Sequence, residues 1–176
     1  MSRSRYPKIK SFCLWVLIIG AAYIYKQWCH SEDTLWINGG NAEVIDGDSF
    51  KIKNDAFRIH GVDAPEYLQI CKDPDGVNWS CGKSARSGLE RILRKGNYHC
   101  VVQTRDQYGR LVVQCKSEAG TDLSAQLVTA GWAVSGESFD GLLYPVEEAD
   151  AQKARRGVWR GEFVRPDIWR AQNPRN

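Results

Sequence analysis

The chain has 176 residues, enough for one ordinary domain with its own core plus a short addition. Hydrophobic residues make up 43% and charged residues 26%, which excludes a disordered chain. The net charge of +3 comes from the N-terminus: five of the 24 basic residues and none of the 21 acidic ones lie in positions 1–30, leaving 19 bases against 21 acids beyond them. That excludes a domain that binds nucleic acid through bulk positive charge, and leaves room only for a few placed cations or a metal.

Residues 1–28 come first. Arg3, Arg5, Lys8 and Lys10 precede an uncharged run from Ser11 to Tyr25, and Lys26 and Trp28 follow. A positive flank before such a run has two readings. One is a signal peptide with Ala22 at the cleavage point. The other is an uncleaved anchor spanning the membrane over residues 11–28, lengthened by snorkelling of Lys10 and Lys26. The anchor is preferred, because no small-x-small site follows the run. Both readings place the rest of the chain outside the cytoplasm, periplasmic or beyond. Residues 29–41 read as a linker.

Glu43–Ile45 and Ser49–Lys53 are short and β-like, with Asp46-Gly47-Asp48 as a turn between them. Ala56–Gly61 reads as another strand. Ala85, Leu89, Ile92 and Leu93 recur at helical spacing within 83–95. Tyr98–Lys116 reads as two strands around the loop Asp106-Gln107-Tyr108-Gly109. Residues 122–130 form a second expected helix, with Asp122 as its cap and Gly131 after its end. Residues 145–156 form a third, ending at Gly157. Early strands, then helices among further strands, point to an α+β domain: a small β-barrel with helices against it. The aromatic rings of Trp79, Trp132, Trp159 and Trp169 are expected in core packing. His60 and His99 are read as structural.

Four cysteines lie in the domain. In the hairpin register that opposes Arg105 and Arg110, Cys100 faces Cys115, a good geometry for a cross-strand disulfide. Cys71 and Cys81 then pair by default and close the loop Lys72–Ser80. Such a loop contributes roughly 2–3 kcal/mol by the chain-entropy argument. A zinc site is disfavoured, since no CxxC spacing occurs. Disulfides agree with an oxidising compartment.

The stretch 46–66 carries the chemistry. Asp46 and Asp48 flank a glycine, and hard cations such as calcium take carboxylates, carbonyls and water. Arg58 and His60 share one face of a strand. Pro65 biases Ala64 toward an extended conformation that can present its carbonyl. Arg58, Asp63 and Glu66 can supply a phosphate clamp, a metal ligand and a base. Arg110, straight after its turn, is a second cation.

Asp46-Gly47-Asp48-Ser49, then Arg58 with Gly61-Val62-Asp63-Ala64-Pro65-Glu66, then Asp106-Gln107-Tyr108-Gly109-Arg110 resemble, in order, three signature blocks of the staphylococcal-nuclease-like (thermonuclease) family. The resemblance runs from 42 to 161 and includes the closing Ala154-Arg155-Arg156-Gly157-Val158-Trp159. It leaves 162–176 as a C-terminal tail. It implies a five-stranded OB-fold barrel with three helices, calcium dependence, and cleavage of DNA or RNA at the 5′-oxygen–phosphorus bond by a monomeric endonuclease. Carried over by position, Asp48 and Asp63 would ligate Ca2+ with the Ala64 carbonyl, and Asp46 would stand behind them holding a water. Arg58 and Arg110 would grip the scissile phosphate, Glu66 would activate the attacking water, and Tyr108 would hold a further phosphate.

There are departures. The best-known members have threonine at Ala64, where only the carbonyl is needed. They have lysine at Gln107, which implies a weaker grip on a terminal phosphate. They have two tyrosines around Glu137 and Phe139. Phe139 can still stack on a base, whereas Glu137 repels phosphate. The alternative is a catalytically inactive OB-fold module that binds nucleic acid, because fold alone does not fix function. The full set Asp48, Arg58, Asp63, Glu66 and Arg110 speaks against it. A third reading, calcium bound only for stability, leaves both arginines unexplained.

Overall fold

The computed structural model describes residues 33–174. The expected membrane segment and the start of the expected linker lie outside the described residues. No helix among the described residues is long and apolar enough to cross a membrane.

The central sheet has six strands: β1 (Thr34–Asn38), β2 (Glu43–Val44), β3 (Ser49–Ile52), β4 (Asp55–Ile59), β8 (Asn97–Arg105) and β9 (Leu111–Ser117). Their spatial order is β1-β8-β9-β4-β3-β2. All neighbours are antiparallel except β4 and β9, which run parallel. Among the described residues no ladder joins β1 to β2. The expected OB-like fold is present, but as a curled half-barrel of six strands in place of a closed five-stranded barrel. Short pairs flank it: β5 (Val62–Asp63) with β10 (Val134–Ser135), β6 (Cys71–Lys72) with β7 (Asn78–Trp79), and β11 (Glu137–Ser138) with β12 (Gly141–Leu142).

The extra strand is β1, which occupies five residues of the expected linker. Leu35 and Ile37 alternate with the exposed Thr34, Trp36 and Asn38, Ile37 is buried, and the strand takes the open edge of β8. Among the described residues four α-helices stand where three were expected: α1 (Cys81–Leu93), α2 (Leu123–Thr129), α3 (Pro145–Lys153) and α4 (Pro166–Gln172). The fourth lies in what the sequence presents as a tail. Pro166 at its first turn and Asp167 beside it are ordinary helix-start chemistry. Asp122 caps α2 as expected, accepting from the backbone N–H groups of Ser124 and Ala125.

The core lies between the sheet and the helices. Phe50 stacks on Phe57 across β3 and β4, and Leu89 and Leu93 of α1 with Leu127 of α2 close over them. A second cluster joins Val158 and the Cys71–Cys81 bridge to Trp79, Trp159 and Phe163. Trp79, Trp132 and Trp159 thus pack as expected. Trp169 belongs to neither cluster. Both expected disulfides are present, Cys71–Cys81 and Cys100–Cys115.

The hairpin register holds from Tyr98↔Ser117 through Cys100↔Cys115 to Val102↔Val113. There a bulge at Gln103 moves it by one, so Arg105 faces Leu111 and not Arg110. An extra residue in one strand bends it and re-aims the side chains beyond the bend. Arg110 instead pairs with Asp106, whose N–H donates to the Arg110 carbonyl at 3.0 Å, and its side chain reaches Ser49 of β3.

Candidate active site

Asp48 ends the turn between β2 and β3. The carboxylate of Asp46 accepts the Asp48 N–H at 3.2 Å and tightens that turn. Gly47 is required there: a Cβ would lie 2.6 Å from the Ala64 Cβ and 2.8 Å from that of Ala85. Arg58 stands opposite Ser49 in the β3–β4 ladder. That register brings Arg58 Nη1 and Nη2 to the Asp48 carboxylate at 3.1 and 3.0 Å. After β4 the chain reverses at Gly61, whose φ of +76° suits glycine. It returns along β5, which sets Asp63 3.2 Å from Arg58 Nη2. Arg58 therefore ties the two expected calcium ligands together. Ala64 is buried, and its N–H donates to Asp48 Oδ2 at 3.3 Å.

Glu66 follows Pro65 at the mouth of this cluster. Its N–H donates to Gln69 Oε1 at 3.2 Å, and the Gln69 amide donates to the Val164 carbonyl at 2.6 Å. Gln69 is fully buried, so it joins the Glu66 loop to the segment leading into α4. Gly82 lets α1 approach that loop: a Cβ there would overlap the Glu66 carbonyl oxygen.

Arg110 reaches the site from the hairpin. Asp106 Oδ1 accepts the N–H groups of Tyr108 and Arg110 at 2.9 and 3.0 Å, and Gly109 turns the chain with φ +81°. Arg110 Nε donates to Asp106 Oδ2 at 2.6 Å, and Nη1 donates to Ser49 Oγ at 3.1 Å. The Ser49 hydroxyl donates in turn to Asp48 Oδ1 at 2.7 Å. Both expected phosphate-binding arginines thus end on one polar chain, with Tyr108 beside Arg110 at 5.5 Å.

One member of the site was missed by the sequence reading. Arg170 of α4 places its fork on Asp63, with Nη1–Oδ1 and Nη2–Oδ2 both 2.8 Å, and its Nη1 lies 3.2 Å from Glu66 Oε1. No local pattern announces a partner 107 residues away. The only signal in the chain was a helix start at Pro166 with an arginine one turn later. Arg58, Glu66, Arg110, Tyr108, Gln107 and Asp46 line one cavity of about 620 Å³, together with Trp169, Arg170 and Asn173 of the α4 segment. Glu137 and Phe139 do not line it. They sit exposed on the β11–β12 hairpin, where Phe139 packs on nothing.

Burial and ion pairing perturb Asp48, Arg58, Arg170 and Asp106. Burial pushes the Asp48 carboxyl up to about 7, with the Arg58 guanidinium pulling the other way. Burial also works against the Arg58 charge, but Asp48 and Asp63 outweigh it and hold the guanidinium firmly charged. Hydrogen bonds to Asp63 raise Arg170 further still. At Asp106 slight burial is overcome by hydrogen bonds from Arg110 and Tyr108, and its carboxyl lies below the usual range.

A hard divalent cation suits this donor chemistry. Asp48 and Asp63 converge through Arg58, and the Ala64 peptide abuts Asp48. Two carboxylates and a carbonyl would leave coordination positions for water and phosphate.

The sequence pattern described as staphylococcal nuclease homologue matches residues 56–161. The succinoglycan biosynthesis protein ExoI of Rhizobium meliloti is 35% identical over 124 residues, covering 70% of this chain and 65% of that protein. Endonuclease YhcR of Bacillus subtilis is 31% identical over 132 residues, 66% of this chain but only 11% of its own length. An uncharacterized endonuclease of Escherichia coli is 30% identical over 142 residues, covering 76% of this chain and 85% of that protein. On this match, and on a site that assembles all three signature blocks at one cavity, the chain belongs to the staphylococcal nuclease homologue family.

Proposed function

We propose that this chain is a calcium-dependent nuclease that hydrolyses phosphodiester bonds of DNA or RNA outside the cytoplasm, anchored through residues 11–28. The observation that carries the reading is the convergence of Arg58, Arg110 and Glu66 on one cavity beside the paired carboxylates Asp48 and Asp63. Relatives named as endonucleases support it. Two disulfides and the positive N-terminal flank support the compartment.

The substrate diester is an anion that repels an incoming nucleophile. Calcium, when bound, would supply Lewis-acid neutralisation of a non-bridging oxygen. Arg58 and Arg110 offer planar forks to the phosphoryl oxygens, and their grip strengthens as charge builds. Asp106 and Ser49 fix the direction of the Arg110 fork. Glu66 takes a proton from water as its oxygen bonds to phosphorus, and the bond from phosphorus to the 5′-oxygen breaks.

The test uses the oxidised full chain in detergent with denatured DNA, in calcium or in chelator. Cleavage is expected in calcium, and Glu66→Gln lowers it by orders of magnitude. A folded, calcium-binding wild type that leaves the DNA intact would overturn the nuclease reading in favour of a binding module.

Asp48 makes calcium binding pH-dependent. An acid raised from 3.8 to about 7 on folding favours the fold fully below 3.8, and that contribution is lost as pH rises through 7. In chelator, this group is therefore expected to lower the wild-type Tm as pH rises from 4 to 8. A cation ligand must be ionised, so the calcium-induced rise in wild-type Tm is larger at pH 8 than at pH 6. Thermal melts across pH check both statements, and a calcium effect independent of pH contradicts them.

A further inference from the structure

The family pattern ends at residue 161, yet part of the active-site cavity comes from beyond it. Trp169, Arg170 and Asn173 line that cavity with Arg58, Glu66 and Arg110. The cavity is larger than a phosphate needs. Its arginine side suits an anion, and its remaining wall has different chemistry.

That wall is held in place by bonds to the site itself. The Arg170 fork is fixed on Asp63 and touches Glu66. Gln69 binds the Glu66 N–H with one end of its amide and the Val164 carbonyl with the other. The rim next to Arg170 is thereby set relative to the catalytic groups. Trp169 adjoins Arg170 in sequence, is half-buried, and lies outside both apolar clusters. Asn173 lies one turn on, and its side-chain N–H donates to the Trp169 carbonyl at 2.9 Å. Among the described residues no donor is bonded to the Asn173 amide oxygen, which leaves it as an acceptor at the rim.

An indole and an amide acceptor beside a phosphate clamp are nucleobase chemistry. Every base has a π-face that stacks on an aromatic ring, and exocyclic amino groups donate to an amide oxygen. The aromatic position expected to do this, Phe139, is fully exposed on a separate hairpin and does not line the cavity. We infer that α4 is the nucleobase-binding wall of this active site, with Trp169 as the stacking platform and Asn173 as the base-edge contact for the nucleotide next to the scissile phosphate. The inference rests on the nuclease reading for the identity of the ligand.

The test is a binding measurement on the full chain carrying Glu66→Gln, in calcium, by fluorescence anisotropy. The probes are a labelled dinucleotide and the same compound with abasic sugars. With Trp169 intact, the base-bearing probe binds more tightly. Trp169→Ala weakens it about 10- to 100-fold and collapses the preference over the abasic probe. Trp169→Phe restores most of the preference. Equal weakening of both probes shows a merely structural role and overturns the inference, as does an unchanged preference. A chain with Glu66 intact that leaves the dinucleotide uncut, while its Trp169-dependent preference persists, overturns the nuclease reading and not the wall. No binding of either probe overturns both.

Discussion

Arg58→Ala is expected to slow diester cleavage about 10²- to 10³-fold, the usual cost of losing one placed donor to a developing anion. It should also weaken the fold. Arg58 bridges Asp48 and Asp63, and the Asp48 side chain is only 4% exposed. Removing the guanidinium strips the buried Asp48 of its cation while Asp63 keeps the Arg170 fork, which costs on the order of 3 kcal/mol in chelator. Calcium bound as proposed would neutralise the same carboxylates, so the loss of Tm should shrink when it is added. Arg58→Lys separates the two roles. It keeps the positive charge and much of the stability, but a point charge cannot grip two carboxylates and a phosphoryl group as a fork does, so the rate stays low. Single-turnover rates and melts with and without calcium measure both. A Lys variant with the wild-type rate contradicts the fork argument. An Ala variant equally destabilised in calcium and chelator contradicts the bridging argument.

The double variant Cys100→Ala/Cys115→Ala is expected to lose about 3 kcal/mol, the chain-entropy value for a loop of this length. For a domain of this size that lowers Tm by roughly 10 °C. Both cysteines are completely buried, with Cα atoms 4.0 Å apart between β8 and β9, so the loss falls on the centre of the sheet. The Cys71–Cys81 bridge differs in position. It closes the loop after Glu66 and begins α1, against which the Glu66 carbonyl packs at Gly82. Its removal is expected to lower kcat more than Tm. Thermal melts and cleavage rates of the two double variants decide this, and the same ranking on both scales contradicts it.

Local chemistry made much of this protein legible in its sequence. Asp106 builds its turn from a side chain that accepts N–H groups two and four residues on, which fixes where Arg110 begins. Asp46-Gly47-Asp48 and Gly61 through Glu66 are likewise short turns whose residues dictate their own bends. The spacing of Ala85, Leu89, Ile92 and Leu93 announced the buried face of α1. The alternation of the hairpin was regular enough to place Cys100 against Cys115. The three blocks, read in order, identified the family.

What the sequence left open depends on distant partners. β1 is β-prone, but a five-residue segment becomes a strand only when an open edge receives it, and that edge belongs to β8. The bulge at Gln103 comes from how β8 and β9 fit the sheet, not from a turn signal, and it alone frees Arg110 from facing Arg105. The tail shows the difference most clearly. Seven residues are too few to show an amphipathic period, and helices so short hold only through tertiary contacts. α4 holds because Arg170 finds two carboxylates and Val164 finds Gln69, contacts that cross about a hundred residues of chain. Sequence chemistry fixed which groups could act on a phosphate. The folded chain alone decided that a third arginine and a tryptophan from its far end would stand beside them, because only closure of that long loop brings them within hydrogen-bonding distance.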